Sequence, residues 1–368
     1  MDNGTRVLVV GGGIAGLATA HSLTRNGILC DVIERSTAWS HPGAGMYLPA
    51  NAVRALDDLG FGEAVRKRAQ EITQQRILDS QGRELLVVDL VDLWGPTGPC
   101  LAIERRHLHE IMRENLLIRQ GVIATGLQDE NSRTRVTLSD GSSSLYDFVI
   151  GADGIHSWVR KSGLDGGEPR FVGQASWRLV VEGFPDITQW TVMLGRGQAF
   201  LTIPLRAGLI YCYADLNVPT ASDPTGGDPA KLAALFGDFA EPVPTILTKV
   251  MSEGIQPYFA PIEEVVQRPW VRGRVVVVGD AAHAMSPNMA EGAGLAVEDA
   301  LILADIIASN RNLEEFEAHR RGRVEHVQAQ THRRDRTRNL PPFIRRTTLR
   351  IAGRRIFHEN YQPLRLRP

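Results

Sequence analysis

Three glycines near the start of the sequence have the spacing G-x-G-x-x-G: Gly11, Gly13 and Gly16 follow the apolar run RVLVV. In such a turn the first glycine permits a tight bend, the second lets the backbone approach a pyrophosphate, and the third lets the next helix pack against the strand. A helix starting at Ile14 and Ala15 directs its first N–H groups and the positive end of its dipole at the phosphates. The pattern predicts a dinucleotide-binding turn.

An acidic residue extends this prediction. Glu34 ends the apolar segment ILCDVIE, which follows the helix and its stop signal at Asn26-Gly27. Its carboxylate can accept both hydrogen bonds of a ribose diol, which favours an adenosine ribose without a 2′-phosphate. The fingerprint alone is compatible with NAD or FAD.

Two later segments also carry groups that could bind a dinucleotide. In GADGIHSWVR, a short turn after the strand is expected to bring Asp153 and Arg160 near one another. A carboxylate and a guanidinium held together can position each other and a ligand. In VVVVGDAAHAMSPNMAEGAG, a buried-type strand ends at Gly279 and Asp280, and a long run of small residues precedes the next helix. Something other than the chain's own core is expected to fill the space beside this run.

The periodicity predicts the elements that position these motifs. Strands are expected over 6–10, 28–34, 135–138, 145–150 and 274–278, helices over 14–25, 51–59, 106–118 and 292–309, and antiparallel strands within 72–97 and 171–260. The predicted fold class is α/β with α+β insertions, a Rossmann-like domain interleaved with a β-sheet domain and followed by C-terminal helices. The first domain would comprise 1–71, 98–170 and 262–330, the second 72–97 and 171–261, and an Arg-rich helical tail 331–368.

Composition restricts the class of protein. A formal net charge of −1 with 43% hydrophobic and 23% charged residues is ordinary for a soluble enzyme and argues against nucleic-acid or membrane partners. Cys30, Cys100 and Cys212 form no C-x-x-C pair, so neither disulfides nor a metal site is expected. With no signal peptide or membrane span in the pattern, we expect a cytoplasmic protein.

Arginines are concentrated from His319 onward, as in HRRGRVEH and THRRDRTR. One interpretation is a tail that binds polyanions. The other is a long surface helix whose guanidinium groups are solvated or paired with Glu, and the near-neutral charge of the whole chain favours it.

Taken together, the three motifs resemble those of the class A flavoprotein monooxygenases, the para-hydroxybenzoate and salicylate hydroxylase family. That family carries a glycine fingerprint, a DGxxSxxR segment and a GDAAHxxxPxxGQG segment, and all three occur here in order over nearly the whole chain. The resemblance implies FAD as cofactor, NADPH or NADH as a transient co-substrate, and a monomer or homodimer. It also implies hydroxylation of an aromatic or other electron-rich small molecule by O2, through a flavin C4a-hydroperoxide. The missing second G-x-G-x-x-G fits a family without a separate NAD(P)H domain.

The resemblance also implies roles for matching residues. Asp280 would bind the ribityl chain, Arg105 the phosphates or ribityl, and Arg35 the adenine, with Asp153 and Arg160 serving FAD and nicotinamide placement. Gly45 and Met46 belong to a loop, 43–51, that would lie beside the flavin. The segment from Pro287 to Leu295 would pass along the flavin ring, with contacts from Pro287, Gly292, Ala293, Gly294 and Leu295. Gly279 is a further expected cofactor contact.

The substrate is expected on the sheet of the β-rich part. Candidate wall residues are Arg178, Met193, Phe200, Thr202, Tyr211 and Tyr213. Strand alternation would place the side chains of Phe200 and Thr202 on one face, and those of Tyr211 and Tyr213 on one face. Arg178 could hold an acidic or phenolate oxygen, although core packing is an alternative for every wall residue. Arg178, Tyr211, Tyr213 and Pro287 are the candidate catalytic residues.

Other functions remain open on the same fold. The chain could be an epoxidase, a Baeyer–Villiger enzyme or an oxidase, or a non-catalytic FAD-binding protein. The missing second fingerprint disfavours the two-fingerprint Baeyer–Villiger family, and the missing WxWxIP segment disfavours flavin-dependent halogenases. We interpret His283 as a structural residue bonded to backbone and not as a base.

Two residues depart from the family pattern, which has Gly-Gln-Gly where this chain has Ala290-Glu291-Gly292. If position 290 requires a positive φ, alanine would resist it by about 1 kcal/mol. If the Glu291 side chain points inward and is ionised, it should oppose flavin reduction, whereas an outward side chain should have no effect.

Overall fold

The computed structural model describes residues 4–39, 45–223 and 226–368. The strands are β1 Arg6–Val10, β2 Leu29–Glu34, β3 Gly45–Leu48, β4 Gln70–Glu71, β5 Gln74–Asp79, β6 Glu84–Asp89, β7 Leu101–Glu104, β8 Ile118–Gln120, β9 Ala124–Glu130, β10 Arg133–Leu138, β11 Ser143–Tyr146, β12 Phe148–Gly151, β13 Arg170–Val181, β14 Trp190–Leu194, β15 Gln198–Pro204, β16 Ile210–Asn217, β17 Tyr258–Glu264, β18 Val271–Arg272 and β19 Val275–Val277. The helices are α1 Ile14–Arg25, α2 Ala50–Asp58, α3 Gly62–Arg68, α4 Leu90–Trp94, α5 Arg105–Arg113, α6 Trp158–Leu164, α7 Pro229–Phe236, α8 Val243–Ser252, α9 Asp280–His283, α10 Gly292–Ala308, α11 Glu314–Arg338 and α12 Pro342–Arg365.

The main sheet has six strands in the order β18-β19-β12-β1-β2-β8, and the strands from β19 to β8 are parallel. Its central strands are buried runs of valine, leucine and isoleucine, as expected of a parallel sheet covered on both faces. The predicted β1-α1-β2 unit is confirmed. The helix predicted over 106–118 ends at Arg113 instead, and Asn115 with φ 62° turns the chain into the edge strand β8.

A second sheet has seven strands in the order β17-β13-β16-β15-β14-β5-β6. The predicted β-rich segments supply it, although the division of the chain into two domains stays an interpretation. Arg178 on β13 lies opposite Tyr213 on β16, and Tyr211 shares their face because side chains alternate along a strand. We call this the inner face of the sheet.

Three of the predicted wall residues lie on the other, outer face. Phe200 is paired with Ala214, and Thr202 with Cys212, so both point away from the tyrosines. Met193 and Phe200 belong to a buried cluster with helices α7 and α8. The prediction that Met193, Phe200 and Thr202 line the same wall as Tyr211 and Tyr213 is therefore wrong.

Two three-stranded sheets, β11-β10-β9 and β3-β7-β4, complete the strand pairing among the described residues. The strand predicted over 145–150 splits in two: its first residues pair in β11, and Phe148–Gly151 joins the main sheet as β12. Asp147 lies at the split, where its carboxylate accepts a hydrogen bond from the Arg6 backbone N–H at 2.8 Å.

The arginine-rich segment forms α11 and α12, and the predicted boundary at residue 331 falls inside α11. Arg320, Arg338 and Arg345 are buried, with exposed fractions of 0%, 8% and 3%. Arg338 pairs with Asp215 on β16, and Arg345 donates to carbonyl groups before β15. The prediction of a surface helix is wrong for these three buried side chains, although Arg320 is paired with a glutamate, Glu298, as the prediction allowed. No helix among the described residues has the length and apolar character to cross a membrane.

Candidate active site

The glycine turn between β1 and α1 leaves an open space in front of the helix. Gly11 has φ 109°, and a Cβ there would lie 2.4 Å from the Ala152 carbonyl oxygen, while a Cβ at Gly16 would lie 1.8 Å from the Gly11 oxygen. These two glycines are required by close packing. Gly13 has φ −77°, and a Cβ there would have no atom within 4 Å. A ligand can therefore approach the first N–H groups of α1 over Gly13.

Glu34 holds the glycine turn in place. Its carboxylate accepts hydrogen bonds from the N–H groups of Gly12 at 2.7 Å and Ser36 at 2.9 Å. A carboxylate has further lone pairs, so the predicted ribose contacts remain compatible with this geometry. The buried His109 was missed from the sequence, and its Nε2 donates to the Gly12 oxygen at 2.8 Å. Burial lowers the pKa of His109, which favours the neutral ring.

Two of the predicted cofactor-binding arginines, Arg35 and Arg105, are exposed near this turn. Neither makes a hydrogen bond or ion pair among the residues that the structure describes. Trp39, which sequence reasoning missed, packs against His109 with ring centroids 4.6 Å apart and the rings tilted by 50°, and it borders a cavity of about 230 Å³. Arg113 lies over its ring at 5.3 Å. These cationic and aromatic groups suit a phosphate and a purine.

Strand β3 connects this region with the inner face. A Cβ at Gly45 would lie 2.4 Å from the Tyr211 Cβ, so glycine lets β3 lie directly on β16. Met46 points to the opposite side and packs with the cluster around α1 and α2. Gly43 and Ala44, which the sequence also placed beside the flavin, lie outside the described residues.

Asp153 stabilises the turn that precedes α6. Its Oδ2 accepts hydrogen bonds from the N–H groups of Trp158 at 2.8 Å and Val159 at 3.1 Å. Burial raises the pKa of Asp153, and hydrogen bonds from Ser157 and the backbone oppose that rise. The carboxylate therefore acts on its own loop in this structure.

Arg160 is completely buried and lies close enough to Asp153 for their charges to interact, as predicted, but the two form no direct ion pair among the described residues. Its guanidinium donates to the carbonyl oxygens of Ile155 at 2.7 Å, Ala281 at 2.9 Å and Gly167 at 3.2 Å. These bonds join the loop before α6 to α9. Arg160 thus positions the two later motifs relative to each other and makes no approach to open space.

Asp280 is placed where a ligand could meet it. Gly279 has φ 57°, and a Cβ there would lie 2.8 Å from the Ala15 Cβ, so glycine brings the start of α9 against the start of α1. The Asp280 side chain is exposed and has no hydrogen-bond or ion-pair partner among the described residues. Its carboxylate is available to accept hydrogen bonds from hydroxyl groups.

His283 is structural, but its partner is a side chain and not the predicted backbone group. Its Nε2 lies 2.7 Å from Oδ2 of Asp299, which also accepts from the Gly279 N–H at 3.0 Å. Arg320 donates to Oδ1 of the same carboxylate at 2.8 Å. His283 and Arg320 hold the pKa of Asp299 well below its ordinary range despite burial. This buried network fixes the turn that presents Asp280.

Open space also lies at the start of α10, where a Cβ at Gly292 would have no atom within 4 Å. The N–H groups of 292–294 precede the first N–H that donates within the helix, that of Leu295 to the Glu291 oxygen, and form the positive end of a helix of 17 residues. Two of the residues predicted to contact the flavin ring, Gly294 and Leu295, do not face this open space. Gly294 packs closely against α2, and the Leu295 side chain is fully buried, so neither side chain position faces that space.

Ala290 has a positive φ, the conformation in which alanine was expected to be strained at this position. It follows the short turn begun by the exposed Pro287 and has φ 55° and ψ 29°. A left-handed conformation costs a non-glycine residue roughly 1–2 kcal/mol. We expect Ala290→Gly to raise the free energy of unfolding by up to about 1 kcal/mol, since glycine's greater freedom in the unfolded chain offsets part of the gain.

Urea denaturation of the purified variants would measure this change. The exposed Ala318, within α11, provides the same substitution in a helical conformation. There, glycine should lower stability by about 1 kcal/mol. Destabilisation of similar size at both positions would contradict the strain at Ala290.

Comparison with known proteins agrees with the geometry. Residues 4–331 match a family described as FAD binding domain. The chain is 33% identical to 2-heptyl-3-hydroxy-4(1H)-quinolone synthase of Pseudomonas aeruginosa over 88% of this chain and 87% of that protein. It is 32% identical to aurachin C monooxygenase/isomerase of Stigmatella aurantiaca over 85% and 83% of the two chains. The solved structure of Klebsiella pneumoniae HpxO with FAD and uric acid superposes with a TM-score of 0.89 at 26% identity, covering 99% of this chain and 97% of that chain.

Proposed function

Because the chain belongs to the FAD-dependent aromatic monooxygenases, we propose that it uses NADPH or NADH and O2 to hydroxylate an aromatic ring that carries an oxygen substituent. The observation that carries this proposal is on the inner face of the seven-stranded sheet. There Arg178, which has no hydrogen bond or ion pair among the described residues, lies beside two buried phenols, and β3 packs against one of them.

The residues present fit FAD. The open spaces over Gly13 and Gly292 lie at the positive ends of α1 and α10, which suit the phosphates and an electron-rich ring edge. Asp280 and Arg105 have no partner among the described residues and would hold the ribityl chain and the phosphates. FAD, when bound, supplies the electron transfer and the oxygen activation, and the chain supplies placement, orientation and exclusion of water.

On the inner face, Arg178 is the group available to bind a substrate oxygen. Its guanidinium lies 5.9 Å from the centroid of the Tyr213 ring and makes no ion pair or hydrogen bond among the described residues. Burial raises the pKa of Tyr211 and of Tyr213 above the ordinary tyrosine value. The two phenols are therefore neutral at physiological pH. Tyr211 can donate a hydrogen bond to a ring oxygen, whereas the buried Tyr213 hydroxyl lies beside the Asp215 carboxyl group.

We propose 4-quinolones as the first substrate class to test. The name of the relative that is 33% identical points to this ring system. A 4-quinolone is neutral and carries one ring carbonyl oxygen, which suits a single guanidinium beside a phenol donor. A carboxylate-bearing ring such as a hydroxybenzoate is the alternative that an unpaired Arg178 also favours.

The test starts from purified protein that is yellow and retains FAD. NADPH or NADH oxidation should accelerate with the correct aromatic, and the product should gain one oxygen atom from labelled O2. We expect Arg178→Met to raise the KM for that aromatic at least tenfold, corresponding to about 1.4 kcal/mol, with FAD content unchanged. Arg196→Met, in the exposed turn between β14 and β15, is the matched control.

The outcomes separate the alternatives. If Arg178→Met raises the KM more for hydroxybenzoates than for quinolones, the substrate is anionic. An unchanged KM for every compound that accelerates NADPH or NADH oxidation would remove Arg178 from the substrate site. A colourless protein that takes up no FAD would overturn the proposed function.

A further inference from the structure

Glu291 is a buried carboxyl group placed directly before α10. Its exposed fraction is 1%, and its side chain turns towards α2, where Oε2 accepts a hydrogen bond from Asn51 Nδ2 at 2.8 Å. The other oxygen, Oε1, is buried and has no hydrogen-bond partner among the residues the structure describes. An ionised Glu291 would be a buried anion whose one hydrogen bond comes from the neutral Asn51 amide.

The charged and titratable groups that face Glu291 come from every element around it: Tyr47, Cys100, Glu298, Arg323, Arg334 and Tyr361. Neither cation contacts it. Arg323 donates to Glu298 at 2.7 and 2.8 Å, and Arg334 donates to the Asn288 carbonyl oxygen at 2.7 Å. An unpaired buried carboxylate is costly, so the geometry favours the neutral acid.

Three of the other groups in this set are neutral at physiological pH. Burial raises the pKa of Tyr47, Cys100 and Tyr361, with Cys100 raised to about 12. Glu298 is held in ion pairs with Arg320 and Arg323. Burial raises the pKa of Glu291 to about 8. The charge of Glu291 therefore changes just above physiological pH.

Its position connects this charge to the cofactor site. Glu291 is the residue immediately before the open first turn of α10, whose N–H groups favour a nearby anion. A neutral glutamic acid has the shape and charge of the glutamine in the family pattern. An ionised one places a negative charge beside the helix end where a second anion would bind.

We propose that Glu291 is a positioning residue that controls FAD reduction through its protonation state. As a neutral acid it leaves the positive end of α10 to the anionic reduced cofactor, and as a carboxylate it opposes reduction. The inference rests on the proposed FAD site. Because coupling between two sites is reciprocal, FAD reduction must raise the affinity of Glu291 for its proton by the same factor.

The experiment is a spectroelectrochemical titration of the FAD-loaded protein between pH 6 and pH 10. An electrode supplies two electrons, and one proton from solvent completes the anionic reduced cofactor. In the wild type, ionised Glu291 takes up a second proton in the range above pH 8, so the potential should fall more steeply there. Glu291→Gln stays neutral and should show the one-proton slope throughout.

We expect the ratio of the wild-type to the Glu291→Gln equilibrium constant for FAD reduction to change at least tenfold between pH 6 and pH 10. A tenfold change is about 30 mV for two electrons. Glu314→Gln, an exposed acid at the start of α11, should follow the wild type. Parallel curves for wild type and Glu291→Gln would overturn the role of Glu291 and leave the FAD site intact. Protein without FAD would instead overturn the proposed function.

If Glu291→Gln does not fold, infrared spectra of the wild type provide the second measurement. The carbonyl stretch of a protonated carboxyl group should disappear over the same pH range in which the potential steepens, and at a higher pH in the reduced protein. A band that is absent at pH 7, or that is insensitive to reduction, would contradict the proposal.

Discussion

Replacing Gly13 with valine is expected to weaken FAD binding at least about 100-fold, equivalent to about 2.7 kcal/mol, while the chain keeps its fold. Gly13 has φ −77° and ψ −177°, which any residue adopts, and a Cβ there would have no atom within 4 Å. The valine side chain would therefore occupy only the space over the first turn of α1. That is the space through which phosphates must approach the N–H groups.

FAD titration into apoprotein, followed by flavin fluorescence, would measure the loss, and circular dichroism with urea denaturation would report the fold. Gly322→Val is the matched control, because a Cβ at this exposed position in α11 also has no atom within 4 Å. It should leave FAD affinity unchanged. Undiminished FAD binding by Gly13→Val would place the phosphates elsewhere.

The contrast with Gly16 shows what a fingerprint does and does not predict. Both glycines occupy positions of one motif, yet a Cβ at Gly16 would overlap the Gly11 carbonyl oxygen at 1.8 Å. The spacing predicts the turn, and β1 and α1 follow the predicted bounds because apolar runs, glycines and the Asn-Gly stop act locally. The close contact of Gly11 is with the Ala152 carbonyl oxygen just after β12, which is distant in sequence.

The same limit explains the errors in the substrate wall. Alternation correctly groups Phe200 with Thr202 and Tyr211 with Tyr213, since it is a property of a single strand. Which group faces β3 depends on the register between β15 and β16 and on where α7 and α8 pack. No local pattern carries that information.

For the same reason, the sequence does not predict the roles of residues whose partners are distant in the chain. His109 bonds to a residue 97 positions earlier in the chain, so no spacing rule joins them. Arg160 belongs to a motif associated with cofactor placement, but its three acceptors are backbone carbonyl groups from three separate segments. A motif supplies residue type and order, and only the folded chain shows which atoms each side chain meets.

Arg320 is expected to have the largest effect on stability. Its guanidinium has an exposed fraction of 0%, donates to Asp299 at 2.8 Å and lies 3.0 Å from the Glu298 carboxylate. Arg320→Met would leave two buried carboxylates short of a cation. Breaking a buried pair in this way costs about 3–5 kcal/mol, and urea denaturation at pH 7 should show a loss of that size. Asp299 also accepts a hydrogen bond from the Gly279 N–H, next to Asp280 in the proposed FAD site. FAD affinity should therefore fall together with the free energy of unfolding.

The pH dependence distinguishes charge from packing in this loss. The pKa of Asp299 is depressed in the folded protein, so its contribution to stability is present above the carboxyl's ordinary pKa and is lost only as pH falls from that value to the depressed folded pKa. The deficit of Arg320→Met should therefore be largest near pH 7 and should narrow as the unpaired carboxylates become protonated towards pH 4. Arg311→Met removes two exposed ion pairs and should cost less than about 1 kcal/mol at either pH. A deficit of the same size at both pH values would assign the effect to lost packing around the guanidinium and not to the carboxylates that it neutralises.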